Sequence, residues 1–106
     1  MEPEAFTRHL ADDVRFTFGN AETVVGRDNV RDVWAGFCDG IDGVSHSVIE
    51  QFDGAGGATI VESTVTYTRK DATTITLPVV TIYRGEGDLI EDYRIFMDVA
   101  PLFSPA

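Results

Sequence analysis

The sequence predicts an α+β domain: a long, curved antiparallel sheet folded around one main helix, with a cavity at the open end. Three observations carry this expectation. Residues 27–41 repeat apolar side chains at helical spacing, and most of the chain after residue 43 reads as β-branched strands broken by glycine-rich turns. Two helices can cover only part of such a sheet, so curvature has to close the rest.

Pro3-Glu4 can open a short helix over about Glu4–Leu10, which Asp12-Asp13 interrupt. Val14–Phe18 alternates as a strand, Gly19-Asn20 is a turn signal, and Glu22–Val25 returns as a second strand, giving a hairpin. The main helix follows over Arg27–Ile41, with Asp28 as candidate N-cap. Val30, Val33, Trp34, Phe37, Cys38 and Ile41 form its apolar stripe, and Gly40 and Gly43 lie where it ends. Val44–Asp53, Ala58–Arg69, Thr73–Arg84 and a last strand from Leu89 then form four long antiparallel strands. Pro78 cannot donate to a ladder and should mark a bulge or an edge. Pro101 closes the last strand.

Length and composition narrow the function. The 106 residues form a single domain, 1–106, with 43% hydrophobic and 25% charged residues, an ordinary globular balance. The net charge of −10, with Lys70 as the only lysine, excludes nucleic acid, which needs clustered cations. No apolar run reaches the roughly 20 residues of a membrane span. The acidic N-terminus lacks a signal-peptide pattern, so the expectation is a cytoplasmic protein with no membrane association. Cys38 has no partner for a disulfide, and His9, His46 and Cys38 are too far apart in sequence for a zinc set, so no metal or cofactor is expected.

The stretch LIEDYRIFMDVAPLF, Leu89–Phe103, poses the main question. On a strand, Arg94, Phe96 and Asp98 share one face and Tyr93, Ile95 and Met97 the other. An inward Arg and Asp would serve chemistry or ligand orientation. An outward pair would be an ordinary solvated face.

Four segments, LADDVRFTFGN at Leu10–Asn20, Val25-Gly26-Arg27, ESTVTYTRKD at Glu62–Asp71 and DYRIFMDVAPLF at Asp92–Phe103, resemble the nuclear transport factor 2-like superfamily in its SnoaL-like branch. The resemblance covers Phe6–Phe103 and implies a cone-shaped, cystatin-like α+β fold. That superfamily holds ketosteroid isomerases, polyketide cyclases, limonene epoxide hydrolases, dehydratases and non-catalytic members, so fold alone does not name the reaction. The resemblance sets Asp98 where cyclases and epoxide hydrolases carry a cavity acid, and matches Arg94 to a hydrolase arginine. It also implies that Ser63 and Val65 stand where the hydrolases need an Arg-x-Asp pair. Epoxide hydrolysis by the family triad is therefore not expected. Phe18 and Asn20 match a hydrolase Tyr and Asn only across a two-residue gap.

If Ser63 and Val65 face inward, so does Tyr67, which could orient a carbonyl or donate a proton. His46 titrates near neutrality and can take and give a proton. The candidate catalytic set is Asp98, His46 and Tyr67. The candidate ligand contacts are Arg94, Asn20, Phe18, Trp34, Ser63, Val65 and Phe96. The bland reading of each is a packed core side chain, a turn residue or a surface ion pair. The expected ligand is a small apolar molecule. The expected activity, if any, is cofactor-independent isomerisation, cyclisation or dehydration, against a non-catalytic binding or dimeric interaction domain. Glu62, Thr64, Thr66 and Thr68 form a polar row facing solvent or a second subunit, and Tyr93, Ile95 and Met97 are expected to join that outer face in a homodimer through the sheet.

Overall fold

Strands dominate the architecture because the β-branched, alternating segments outnumber the helical ones. The computed structural model describes residues 7–103. Its strands are β1 (Leu10–Phe18), β2 (Val24–Val25), β3 (Ile41–Asp53), β4 (Thr59–Arg69), β5 (Thr74–Glu86) and β6 (Leu89–Phe96). The helices are α1 (Arg27–Cys38), between β2 and β3, and a terminal turn α2 (Ala100–Phe103). One six-stranded sheet runs in the order β2-β1-β6-β5-β4-β3. The predicted hairpin of β1 and β2 and the antiparallel run from β3 to β6 are present. The junction is different from an all-antiparallel sheet: β1 lies parallel to β6. That pairing brings the two ends of the chain together in the sheet, and no local signal in the sequence announces it.

Several boundaries move. Residues 4–6 of the helix expected over Glu4–Leu10 lie outside the described residues, and Leu10 already belongs to β1. Asp12-Asp13 do not interrupt that strand; they ride on it where the register to β6 shifts, between Leu10 and Arg15. α1 ends at Cys38 and Ile41 starts β3. Gly26, at φ 101° and ψ 133°, takes the N-cap position without a side-chain cap bond, and Asp28 sits in the first turn instead, where its charge favours the helix dipole. β6 stops at Phe96, two residues before Asp98. Pro78 pairs with Thr64 beyond the last β5–β6 pair, Val80 with Phe96. β5 has a neighbour on one side only there, as the edge expectation required.

The size mismatch between helix and sheet positions the site. α1 has 12 residues, about 18 Å, and β3 has 13, about 43 Å. The helix seals one half of the concave face, where Leu10, Val14, Val30, Ile41 and Val65 are fully buried. Phe37 is the hub of the seal. Its ring stacks on Trp34 at 5.6 Å and meets Tyr67 edge-on at 5.7 Å. Arg69 pins the chain end over this half: Nε donates to the Leu102 carbonyl and Nη2 to the Pro101 carbonyl, both at 3.0 Å, while Nη1 reaches Thr73 Oγ1 at 3.2 Å. Among the described residues, no helix lies over the other half of the concave face.

Candidate functional site

Register alone assembles the site. Directly opposed residues in a ladder share a face. Ser63 on β4 faces Val48 on β3 and Val79 on β5. One step along the sheet, Val61 faces Thr81, which faces Ile95 on β6, and Ile95 faces Phe18 on β1. A further step brings Tyr83 opposite Tyr93. These rows, with His46, Tyr67 and Met97, wall a pocket of about 260 Å³ to which the helix contributes Trp34. A second hollow of about 250 Å³, with Val33, Phe37 and Phe103 in its walls, shares Phe18 and Trp34 and has an apolar lining.

The pocket is apolar with a few convergent polar tips. His46 faces Val65 across the β3–β4 ladder, so Ser63 and Tyr67 are its two diagonal neighbours, about 7–8 Å away between Cα atoms. The ring is exposed at the mouth, yet partial burial on the pocket side pulls its pKa below 6.5, favouring the neutral imidazole. Its side chain has no hydrogen-bond partner among the described residues. Tyr67 is only 3% exposed. Its hydroxyl donates to Met97 Sδ at 3.7 Å, a weak acceptor that an oxygen would replace with gain. Burial pushes its pKa up to about 12, so it stays a neutral donor. Tyr93 packs edge-on to Tyr83 at 4.7 Å. Burial first, then the charge and hydrogen bond of Tyr83, drive its pKa well above the usual phenol value. Among the described residues, no carboxylate lines the pocket, and no group of three or more metal-ligating side chains occurs.

The structure brings together five of the residues singled out in the sequence: His46, Tyr67, Ser63, Phe18 and Trp34. Val65 has the same parity but is fully buried under the sealed half, in the core. Asn20 is exposed in the turn after β1. The expected direction of the last strand is inverted. Tyr93, Ile95 and Met97 point into the pocket, whereas Arg94 faces outward opposite Ile82 and pairs with Asp92 at 3.3 Å. Phe96 is 49% exposed on the same outer face. Asp98 lies past the end of β6 and is exposed; its Oδ1 accepts a hydrogen bond from the Ala100 backbone N–H at 3.0 Å. It caps α2 and does not enter the pocket. Asp98→Ala should therefore cost about 1 kcal/mol of stability in a denaturant titration and leave ligand binding unchanged.

The residues that the sequence reading missed, Val48, Val61, Val79, Thr81 and Tyr83 with the three of β6, follow from carrying the Ser63–Tyr67 parity across two hairpins. That parity was available. The register that transmits it was not.

Comparison with known proteins places the molecule. A family model described as SnoaL-like domain matches residues 1–93. No curated protein matches the sequence. Among solved structures, an NTF2-like protein of unknown function from Burkholderia pseudomallei K96243 superposes with a TM-score of 0.80 at 23% identity, over 96% of this chain and 88% of its own. A protein of ketosteroid isomerase-like fold from Catenulispora acidiphila DSM 44928, in complex with trimethylamine, gives 0.80 at 20% identity, over 91% of this chain and 75% of its own. An LEH-like epoxide hydrolase of M. tuberculosis gives 0.74 at 17% identity, over 95% and 74%. At these identities the likeness concerns the fold.

Proposed function

The chain belongs to the SnoaL-like domain family, and from that premise we propose that its pocket binds a small, largely apolar carbonyl compound and moves a proton on it. The observation that carries the reading is the pairing of an imidazole, its pKa lowered by partial burial, with buried hydroxyls in an otherwise apolar pocket. Neutral His46 acts as general base on an acidic C–H next to the carbonyl. Tyr67 donates to the carbonyl oxygen and holds the charge that develops there. The imidazolium formed returns the proton at another carbon, or to a leaving hydroxyl. Isomerisation and dehydration follow directly from this transfer; in a cyclisation the enolate carbon attacks a second carbonyl of the same substrate, and the imidazolium gives its proton to the alkoxide that forms. About 260 Å³ suits one or two fused rings.

Exchange of substrate C–H protons for deuterium, followed by NMR over a panel of cyclic enones and hydroxyquinones, tests the reading. Exchange with at least one of them is the expected result. Tyr67→Phe should slow it about 10²–10³-fold with little change in affinity. Binding without exchange across the panel would favour a non-catalytic binding domain.

A second ligand class has its own support. Phe18, Trp34, Tyr67, Tyr83 and Tyr93 present ring faces and edges to the pocket of a chain carrying a net charge of −10. Aromatic walls attract alkylammonium groups, and the Catenulispora relative is crystallised with trimethylamine. Calorimetric titration with trimethylammonium, run beside the enones, separates the two classes.

The outer face of the sheet is best suited to a second copy of the chain. It carries Phe52 at 41% and Phe96 at 49% exposure, beside Ile60, Ile82 and Val80 on the same face. This apolar band replaces the Tyr93, Ile95 and Met97 row expected from the sequence, which lies inside. Its flanks carry opposite charge, a self-complementary pattern that suits a homodimer.

A further inference from the structure

We propose that the apolar hollow beside the pocket is a tail subsite, and that the ligand is a cyclic ketone carrying an unbranched hydrocarbon chain. The ring sits at His46 and Tyr67, and the chain crosses Phe18 and Trp34 into the hollow over β1. The proposal rests on the carbonyl reading above and goes beyond it to the substrate class.

The two spaces are continuous along the concave face. β1 is the parallel neighbour of β6, with Phe16 opposite Tyr93 and Phe18 opposite Ile95. Tyr93 and Ile95 line the pocket, and Phe16 and Phe18 line the hollow. The sheet therefore runs from one space into the other, and the rings of Phe16 and Tyr93 pack across the boundary with centroids 5.3 Å apart. α1 makes the same connection from the opposite side. Val33 and Phe37, one helical turn apart, line the hollow, and Trp34 between them lines both spaces.

Volume favours a ligand that uses both. Ligand pockets run from about 300 to 1,000 Å³. The pocket, at about 260 Å³, and the hollow, at about 250 Å³, each fall short of that range. A ligand that fills the two together falls within it.

The chemistry of the walls divides the ligand into head and tail. The pocket offers an oxygen the hydroxyls of Ser63 and Tyr67 and the His46 imidazole. The hollow exposes no polar atom among the described residues, so a hydroxyl or a charge on the tail would be buried there without a partner. Its outer wall is held in place. Leu102 is 4% exposed, and Arg69 donates to the carbonyls of Leu102 and Pro101. The next residue, Phe103, meets the Phe37 ring edge-on at 6.3 Å. Phe103 and Val33 are 64% and 47% exposed, an apolar rim that a hydrocarbon chain would cover.

Titration with alkyl-substituted cyclohexenones, with chains from methyl to octyl, tests the subsite. Trp34 is the only tryptophan and stands between the two spaces, so its fluorescence reads the binding. In the wild type, affinity should rise about three- to fourfold per methylene until the hollow is full. Val33→Asp and Phe103→Asp put a carboxylate on opposite walls of the hollow, at exposed positions, with circular dichroism to confirm that each folds. In both, the ratio of octyl to methyl affinity should fall by about tenfold. A wild type that binds the methyl compound and gains nothing with chain length would leave the carbonyl reading standing and sink the tail subsite. A gain that both variants keep would send the chain out through the pocket mouth, with the same consequence. Binding of no member of the series would overturn the carbonyl reading, and the subsite with it.

Discussion

Replacing His46 with Asn is expected to lower turnover of an accepted ketone by about 10²–10⁴-fold and to erase the acidic limb of the pH–rate profile. The limb arises because the base works only as neutral imidazole. Partial burial lowers its pKa below 6.5, so the wild-type rate should be flat at neutral pH and fall only at more acidic pH. Tyr67, with its pKa raised to about 12, keeps its proton across this whole range and adds no inflection. The same shift has a stability consequence of definite sign. The folded state favours neutral His46 more than the unfolded chain does, so its full contribution is present above pH 6.5. It is lost as the pH falls from there through the lower folded value. The Asn variant lacks that loss, so the gap between the two denaturation midpoints should narrow or reverse on acidification. A pH–rate profile that keeps its acidic limb in His46→Asn would remove His46 from the mechanism.

The pattern of side chains along the chain reveals the strands and α1 because period 2 and period 3.6 are local properties. β4 and β5 come within a few residues of their expected bounds, and the α1 stripe from Val30 to Phe37 is where its spacing places it. The direction of the β6 faces is a different kind of fact. Alternation divides Tyr93, Ile95 and Met97 from Arg94, Phe96 and Asp98, but both sets mix apolar and polar character. A sheet with a pocket on one face and an apolar band on the other gives hydrophobicity no way to rank them. The long-range register from Ser63 through Val79 and Thr81 to Ile95 decides it. Asp98 was misplaced for a related reason. A strand pattern continued past Phe96 keeps its parity on paper, whereas the chain leaves the sheet there and turns into α2. His46 stands out by its chemistry, as the histidine that lies in a strand, although the register of β3 shifts on both sides of it. The assignment of Tyr67 needed only the parity of Ser63 within β4, a single uninterrupted strand.

Gly85→Ala should be the most damaging glycine-to-alanine substitution in the sheet, though it adds one methyl group at an exposed position. Gly85 sits where the β5–β6 register shifts, opposite Ile90. A Cβ there would overlap the Leu89 carbonyl oxygen and come within 3.0 Å of Ile90 Cα. Both are backbone atoms, which cannot rotate away as a side-chain tip can. The hairpin has to open or slide, and a one-residue slip moves every following side chain to the other face. Tyr93 and Ile95 would then leave the pocket and Arg94 would enter it. The refolded register is so unfavourable that local opening is the cheaper response, with an expected cost of about 3 kcal/mol, or about 12–24 °C in melting temperature for a domain of this size. Gly87→Ala, two residues on, is the internal control. Gly87 has φ +61° and open space where a Cβ would be. Its substitution incurs only the left-handed backbone penalty, about 1–2 kcal/mol, and should leave the pocket intact. Thermal melts of the two variants, read beside near-UV circular dichroism of the Tyr83–Tyr93 pair, distinguish a steric effect from a conformational one. Equal melting temperatures would mean that the contact at Leu89 does not constrain the hairpin, and with it the register that builds the site.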